Sequence, residues 1–130
     1  MRETAVPQMP RKIMGAAYLF LGLATMALPE MMIDISVQDP SQSNGLTRLI
    51  FQCFGLQASL FGLLALVSRF TRTTYLVIGA AILPVFVFDY WFYAVEPVLT
   101  LAGSLIDGIF NIVFVTMCAI GAGLIRGWTR

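Results

Sequence analysis

At 130 residues the chain has the length of one small domain, but 58% of it is hydrophobic and 12% charged, where water-soluble domains run near about 45–50% and about 25%. A soluble fold of this size cannot hide that much apolar surface. The formal net charge of +1 offers nothing to nucleic acid, and the absence of histidine excludes histidine-held haem, an imidazole base and the usual zinc ligand sets. No cofactor-binding motif stands out.

The first apolar run is predicted as a helix over residues 13–33, following Arg11-Lys12 and continuing past Pro29-Glu30. A signal peptide opens in a similar way, but Thr25-Met26-Ala27 is a poor cleavage site, so the segment is expected to stay as a span. Residues 34–45 are the one long polar stretch, with turn signals at Asp39-Pro40 and Asn44-Gly45. A second helix is predicted over 46–68, a basic connection over 69–74 and a third helix over 75–94. Glu96-Pro97 makes a turn into a fourth helix over 98–125. Each segment reaches or approaches the roughly 20 residues that cross about 30 Å of hydrocarbon. The expected fold class is an all-α membrane protein, an antiparallel bundle of four transmembrane helices forming one domain over 1–130.

Orientation follows from the basic residues. Arg2, Arg11, Lys12, Arg69, Arg72, Arg126 and Arg130 fall on one side, and only Arg48 on the other. Glu30, Asp34, Asp39 and Glu96 show the opposite bias. Both termini are therefore expected to be cytoplasmic. Tyr90, Trp91, Phe92 and Tyr93 at the far end of the third helix, with Trp128 at the near boundary, read as interfacial anchors. Connections this short place any activity within the helices or at their outer mouths.

Small and polar residues recur at steps of three and four, so each helix carries them as a stripe. The stripes are Gly15, Tyr18, Gly22, Thr25 and Pro29; Arg48, Gln52, Gly55, Ser59 and Gly62; Gly79, Ile82, Phe86, Asp89, Tyr93 and Glu96; and Thr100, Ser104, Asp107, Asn111, Phe114 and Cys118. Gly15, Gly22, Gly55 and Ser59 read as packing surfaces, and Pro84 is expected to kink the third helix. Cys53 and Cys118 read as small buried hydrophobes, roughly 15–20 Å apart along the bundle and beyond the ~7 Å reach of a disulfide. Gln57 and Cys53 lie off the main stripe, where they would face a partner protein.

Depth is more informative. Asp89 is expected roughly 8–10 Å, and Asp107 roughly 13 Å, from the outer face. With Arg48 and Gln52 in the outer third, the ionisable residues gather in one half of the bilayer. A mid-membrane carboxylate costs on the order of 3 kcal/mol, so two of them beside one arginine need an account. In one reading, Arg48 pairs with Asp89 or Asp107 and fixes helix register. In the other, Arg48, Gln52, Asp89, Tyr93, Asp107 and Asn111 line a binding pocket open to the outside, in which one carboxyl carries a proton.

Size and helix count are similar to those of the small multidrug-resistance exporters. Those keep an essential glutamate in their first helix, where this chain has Tyr18 and Thr25, and they lack so strong a charge bias. The chain more closely resembles the DoxX-like small bacterial membrane proteins over roughly residues 12–125. The shared features are a first helix ending in Pro29, an arginine opening the second helix ahead of a glycine face (Arg48, Gly55, Gly62) and a late acid in the third. The resemblance implies a four-helix fold in a bacterial inner membrane and, as for some members of that group, an accessory place beside redox complexes.

Three readings of function follow. The first is a non-enzymatic accessory or structural subunit that associates with other membrane proteins or with itself. The second is a ligand-binding or transport bundle for a lipid, quinone or small metabolite. The third, an enzyme using Asp89 and Asp107 as an acid–base pair, lacks any identifiable nucleophile or metal.

Overall fold

A computed structural model describes residues 6–125; Arg2, Arg126, Arg130 and Trp128 lie outside them. The described residues are helical, and β structure is confined to an isolated antiparallel bridge between Val37 and Leu99. In chain order the helices are α1 (Met9–Ala27), α2 (Pro29–Ser36), a single 3-10 turn (Pro40–Gln42), α3 (Gly45–Val67), α4 (Arg72–Tyr90), which runs into a π turn (Trp91–Val95), and α5 (Leu101–Gly121).

The ends of these helices have local causes. Asn44 caps α3 by accepting from the N–H of Leu46 at 2.9 Å and of Thr47 at 3.2 Å. Thr71 and Thr74 cap α4 reciprocally, and Thr100 caps α5 by accepting from the Gly103 N–H at 2.8 Å. Each cap satisfies amides that the first helical turn leaves without partners.

Two segments differ from the sequence-based expectation. The predicted helix over 13–33 is two helices, because Pro29 supplies no N–H and disfavours helical backbone at the residue before it. Leu28 accordingly sits at φ −128°, ψ 53°, and α2 leaves α1 at an angle of 102°. The last helix begins at Leu101 rather than at 98 because the residues before it are extended and pair with the end of α2. There Gln38 N–H donates to the Val98 carbonyl at 2.8 Å, and Thr100 N–H to that of Ser36 at 2.9 Å. α4, in contrast, passes through Pro84 as one continuous helix.

Gly45–Val67, Arg72–Val95 and Leu101–Gly121 are each long and apolar enough to cross a membrane, and α1 with α2 qualifies as one bent pair. Their outward faces are apolar: Phe20 is 73% exposed and Val67 76%. Continuous apolar surface of this kind belongs in lipid, and the chain is a membrane protein.

α1 and α3 run antiparallel in near backbone contact. A Cβ on Gly22 would lie 2.5 Å from the Gly55 carbonyl oxygen, and one on Gly62 would lie 2.5 Å from the amide nitrogen of Leu19. On its other side α1 meets α5 through Tyr18, which stacks on Phe114 with ring centroids 4.0 Å apart. α5 in turn packs on α4, with Gly79 against Cys118 and Gly121 against the Tyr75 ring. The lateral order is α3, α1, α5, α4. α3 and α4, although consecutive, make no extended contact among the described residues.

The two ends of the molecule are built differently. At the end carrying Arg11, Lys12, Arg69 and Arg72, here called the basic pole, the interior is solid, with Met14, Tyr75, Phe114 and Cys118 all buried. Arg11 is buried there as well. It donates through Nη1 to the carbonyls of Ala65 and Leu66 at 2.6 and 2.7 Å and through Nε to Gln8 at 2.7 Å. Its charge thus answers the unpaired carbonyls and the negative dipole end of α3. The Tyr75 hydroxyl donates to the Pro7 carbonyl at 2.8 Å and ties the preceding segment down.

At the opposite, acidic pole, α2 lies across the helices, with Ile33 buried beneath it. Asp39 closes the following turn. The hydroxyl of Ser41 and the side-chain amide of Gln42 donate to its carboxylate and hold it below the usual carboxylate range.

Candidate functional site

Beneath α2, where α3 and α4 stand apart, the interior opens into a cavity of about 300 Å³. That is the lower end of the range typical of small-molecule pockets, about 300–1,000 Å³. α1 contributes Leu21 and Thr25, α2 Met32 and Ser36, α3 Ile50, Phe51 and Phe54, and α5 Ile106, Asp107 and Phe110; α4 adds Asp89. Most of the wall is apolar, and among the described residues the carboxyls of Asp89 and Asp107 are its only ionisable groups.

Helix register brings the two acids together. The cap at Thr100 fixes where α5 begins, and Gly79 meets Cys118 farther down the α4–α5 seam. Asp89 is ten residues on from Gly79 and Asp107 eleven residues back from Cys118, so they share a level in the antiparallel pair. Both line the wall of the same cavity. Asn111, one turn beyond Asp107 and buried, donates from Nδ2 to the Asp107 Oδ2 at 2.8 Å. The Oδ2 of Asp89 is buried and has no hydrogen-bond partner among the described residues. The Thr25 hydroxyl is already engaged, donating to the Leu21 carbonyl at 2.8 Å.

Of the six residues singled out in the sequence, the structure gathers Asp89, Asp107 and Asn111 and leaves Arg48, Gln52 and Tyr93 elsewhere. Arg48 forms an ion pair with Glu30, and both side chains are more than half exposed. The bend at Leu28 makes that pairing available, because it turns Glu30 away from the line of α1 toward the first turns of α3. Gln52 is exposed and lines a shallow separate groove with Met26, Cys53 and Leu56. Its neighbour Phe51 takes the cavity-facing position, one helical step of about 100° away. Tyr93 falls in the π turn and is exposed. Cys53 is also exposed rather than buried, whereas Cys118 is buried.

The aromatic wall of Phe51, Phe54 and Phe110 escaped the sequence reading. A phenylalanine facing lipid and one facing a cavity look alike when polar residues are used to mark the inner face. The roof supplied by Met32 and Ser36 was also missed, since it exists only because the chain bends at Pro29.

A second hollow, of about 520 Å³, lies at the acidic pole between the 37–43 segment, Thr47 and residues 97–99. Phe51 and Leu99 line both spaces and form the partition between them. Among the described residues no group of three or more Cys, Asp or Glu side chains converges as a metal site would require. Comparison of the chain with protein-family models, curated proteins and solved structures returned no match.

Proposed function

We propose that the protein is a four-span antiparallel bundle that binds a small, largely apolar molecule carrying one polar group in the cavity between α1, α3 and α5. The observation that carries this reading is the cavity itself: an apolar, aromatic chamber with a carboxyl pair at a single place on its wall. Convergent polar groups in an otherwise apolar hollow orient a ligand and select among ligands. The basic pole faces the cytoplasm, as the lysine and arginine bias favours, and the cavity lies in the half of the bundle toward the opposite face. Both termini are then cytoplasmic. The compact connections and the resemblance to DoxX-like proteins support a bacterial plasma membrane.

Native mass spectrometry of the full chain extracted in its own lipids tests the binding reading. The expected result is a discrete small-molecule mass that persists in the wild-type chain and is lost on Asp107→Asn. A chain that carries no such mass in either form overturns it. Orientation is tested separately by labelling single cysteines at Ser41 and Thr73 from either side of the membrane. Ser41 is expected to react from outside and Thr73 from inside.

A second reading, an accessory subunit of a larger membrane complex, is supported by α4. It has the smallest buried share of the three long apolar helices, 17%, and contacts the rest of the bundle chiefly through α5. Stoichiometric co-purification of another membrane polypeptide, lost on bulky substitution along the exposed face of α4, is its expected mark.

A further inference from the structure

The polar chemistry of the cavity is one-sided. Among the described residues its only ionisable wall groups are two carboxyls, and the arginine nearest in sequence, Arg48, is committed to Glu30 at the surface. No Lys or Arg is among the residues that line it. Asn111 provides one donor to Asp107, while the buried Oδ2 of Asp89 has none among the described residues. A buried acceptor without a donor, next to a second carboxyl, costs free energy unless a proton or a cation is supplied. An anionic or purely hydrogen-bond-accepting ligand would worsen that deficit.

The rest of the chamber selects the body of the ligand. Phe51, Phe54 and Phe110 present aromatic surface that accommodates an apolar group, and ring faces also attract a desolvated cation. The adjoining hollow at the acidic pole carries Asp39, whose carboxylate is held ionised by Ser41 and Gln42. Acidic groups therefore stand both before and behind the partition of Phe51 and Leu99. An approaching cation meets favourable charge at each stage.

We infer that the cavity binds a lipophilic ammonium ion: a primary or secondary amine, protonated, on an aryl or short alkyl body. Its N–H groups donate to Asp89 and Asp107 while its apolar part lies against the phenylalanines. This rests on the ligand-binding reading above and narrows it to one charge class.

The test is calorimetric titration of the full chain in lipid nanodiscs with 4-phenylbutylamine, 4-phenylbutanol and 4-phenylbutyrate, with empty nanodiscs as the blank. The three probes share one body and differ only in the head group. The amine is expected to bind at least about tenfold tighter than the alcohol, a difference of about 1.4 kcal/mol, and the carboxylate weakest of all. Asp89→Asn should bring the amine down to the affinity of the alcohol. Equal binding of amine and alcohol by the wild-type chain overturns the charge preference while leaving the cavity as a ligand site. Failure of all three to bind the wild-type chain overturns the ligand-binding reading along with it. The comparison among probes on the unaltered chain does not depend on any variant folding.

Discussion

Asn111 donates to the Asp107 Oδ2 at 2.8 Å from one turn along the same helix, and among the described residues it is the one side-chain donor to the acid pair. The bond does two things at once. It gives a partner to an amide buried within the bundle, and it holds the Asp107 carboxyl in place on the cavity wall. Asn111→Leu removes the donor and leaves a half-buried acceptor, a change that costs up to about 1–3 kcal/mol. Replacing both partners, in Asp107→Leu/Asn111→Leu, removes the unsatisfied group as well. The double variant is therefore expected to be more stable than Asn111→Leu alone. Thermal unfolding of the two variants in detergent checks the order, and the reverse order would mean that Asp107 has another donor.

The pairing of Arg48 with Glu30 carries an opposite expectation. Both side chains are more than half exposed, and exposed ion pairs are worth about 0–1 kcal/mol. Arg48→Ala should lower stability by no more than about 1 kcal/mol and leave ligand affinity in the cavity unchanged. Loss of binding in Arg48→Ala, measured by the same titration as above, would put the guanidinium within reach of Asp89 or Asp107 in the functional state.

The contrast between these residues shows what the sequence could and could not convey. The acids and Asn111 were recoverable because a polar side chain in an apolar helix must face inward, and helical spacing then gives its level. Asp89 and Asp107 share a level once α4 and α5 run antiparallel. Arg48 was misplaced because its long side chain leaves the choice of partner open, and the choice was decided by a bend at Leu28 that took Glu30 out of the line of α1. Tyr93 and Gln52 were misplaced for reasons of angle, the first by a π turn and the second by a single helical step. The aromatic wall carried no pattern at all, since phenylalanine is equally at home against lipid.

Arg11 offered the same difficulty in another form: charge bias accounts for its side of the membrane but not for its burial. Its guanidinium is 8% exposed as a residue and bonded to the last carbonyls of α3. Lysine can supply the charge but not the planar fork that reaches Gln8 and two carbonyls together. Arg11→Lys is therefore expected to destabilise the bundle, and Arg11→Ala to do so by about 1.5–3 kcal/mol, the range for losing hydrogen bonds to a charged group. Unfolding in detergent measures both, and fraying of the C-terminal turn of α3 should appear as faster amide exchange at Leu66 and Val67. An Arg11→Lys variant as stable as the wild type would show that the fork geometry is dispensable.

The close approach of α3 to Gly22 gives the most direct test of the α1–α3 seam. A methyl group on Gly22 would meet the Ser59 hydroxyl and come within 2.5 Å of the Gly55 carbonyl. Both atoms belong to backbone or to a short side chain, so the helices themselves must separate to admit it. Gly108, on α5, has open space where its Cβ would be. The same Gly→Ala change is thus expected to act in opposite directions at the two sites. Gly108→Ala should stabilise by about 0.5–1 kcal/mol, because alanine loses less backbone freedom than glycine on forming a helix. Gly22→Ala should destabilise by about 1–3 kcal/mol, as overpacking does in a close-packed seam. It should also weaken ligand binding, since Leu21 and Thr25 flank Gly22 on the helix that would move. Melting curves of the two variants side by side decide the matter, and a Gly22→Ala protein as stable as Gly108→Ala would mean that α1 and α3 do not approach this closely in the membrane.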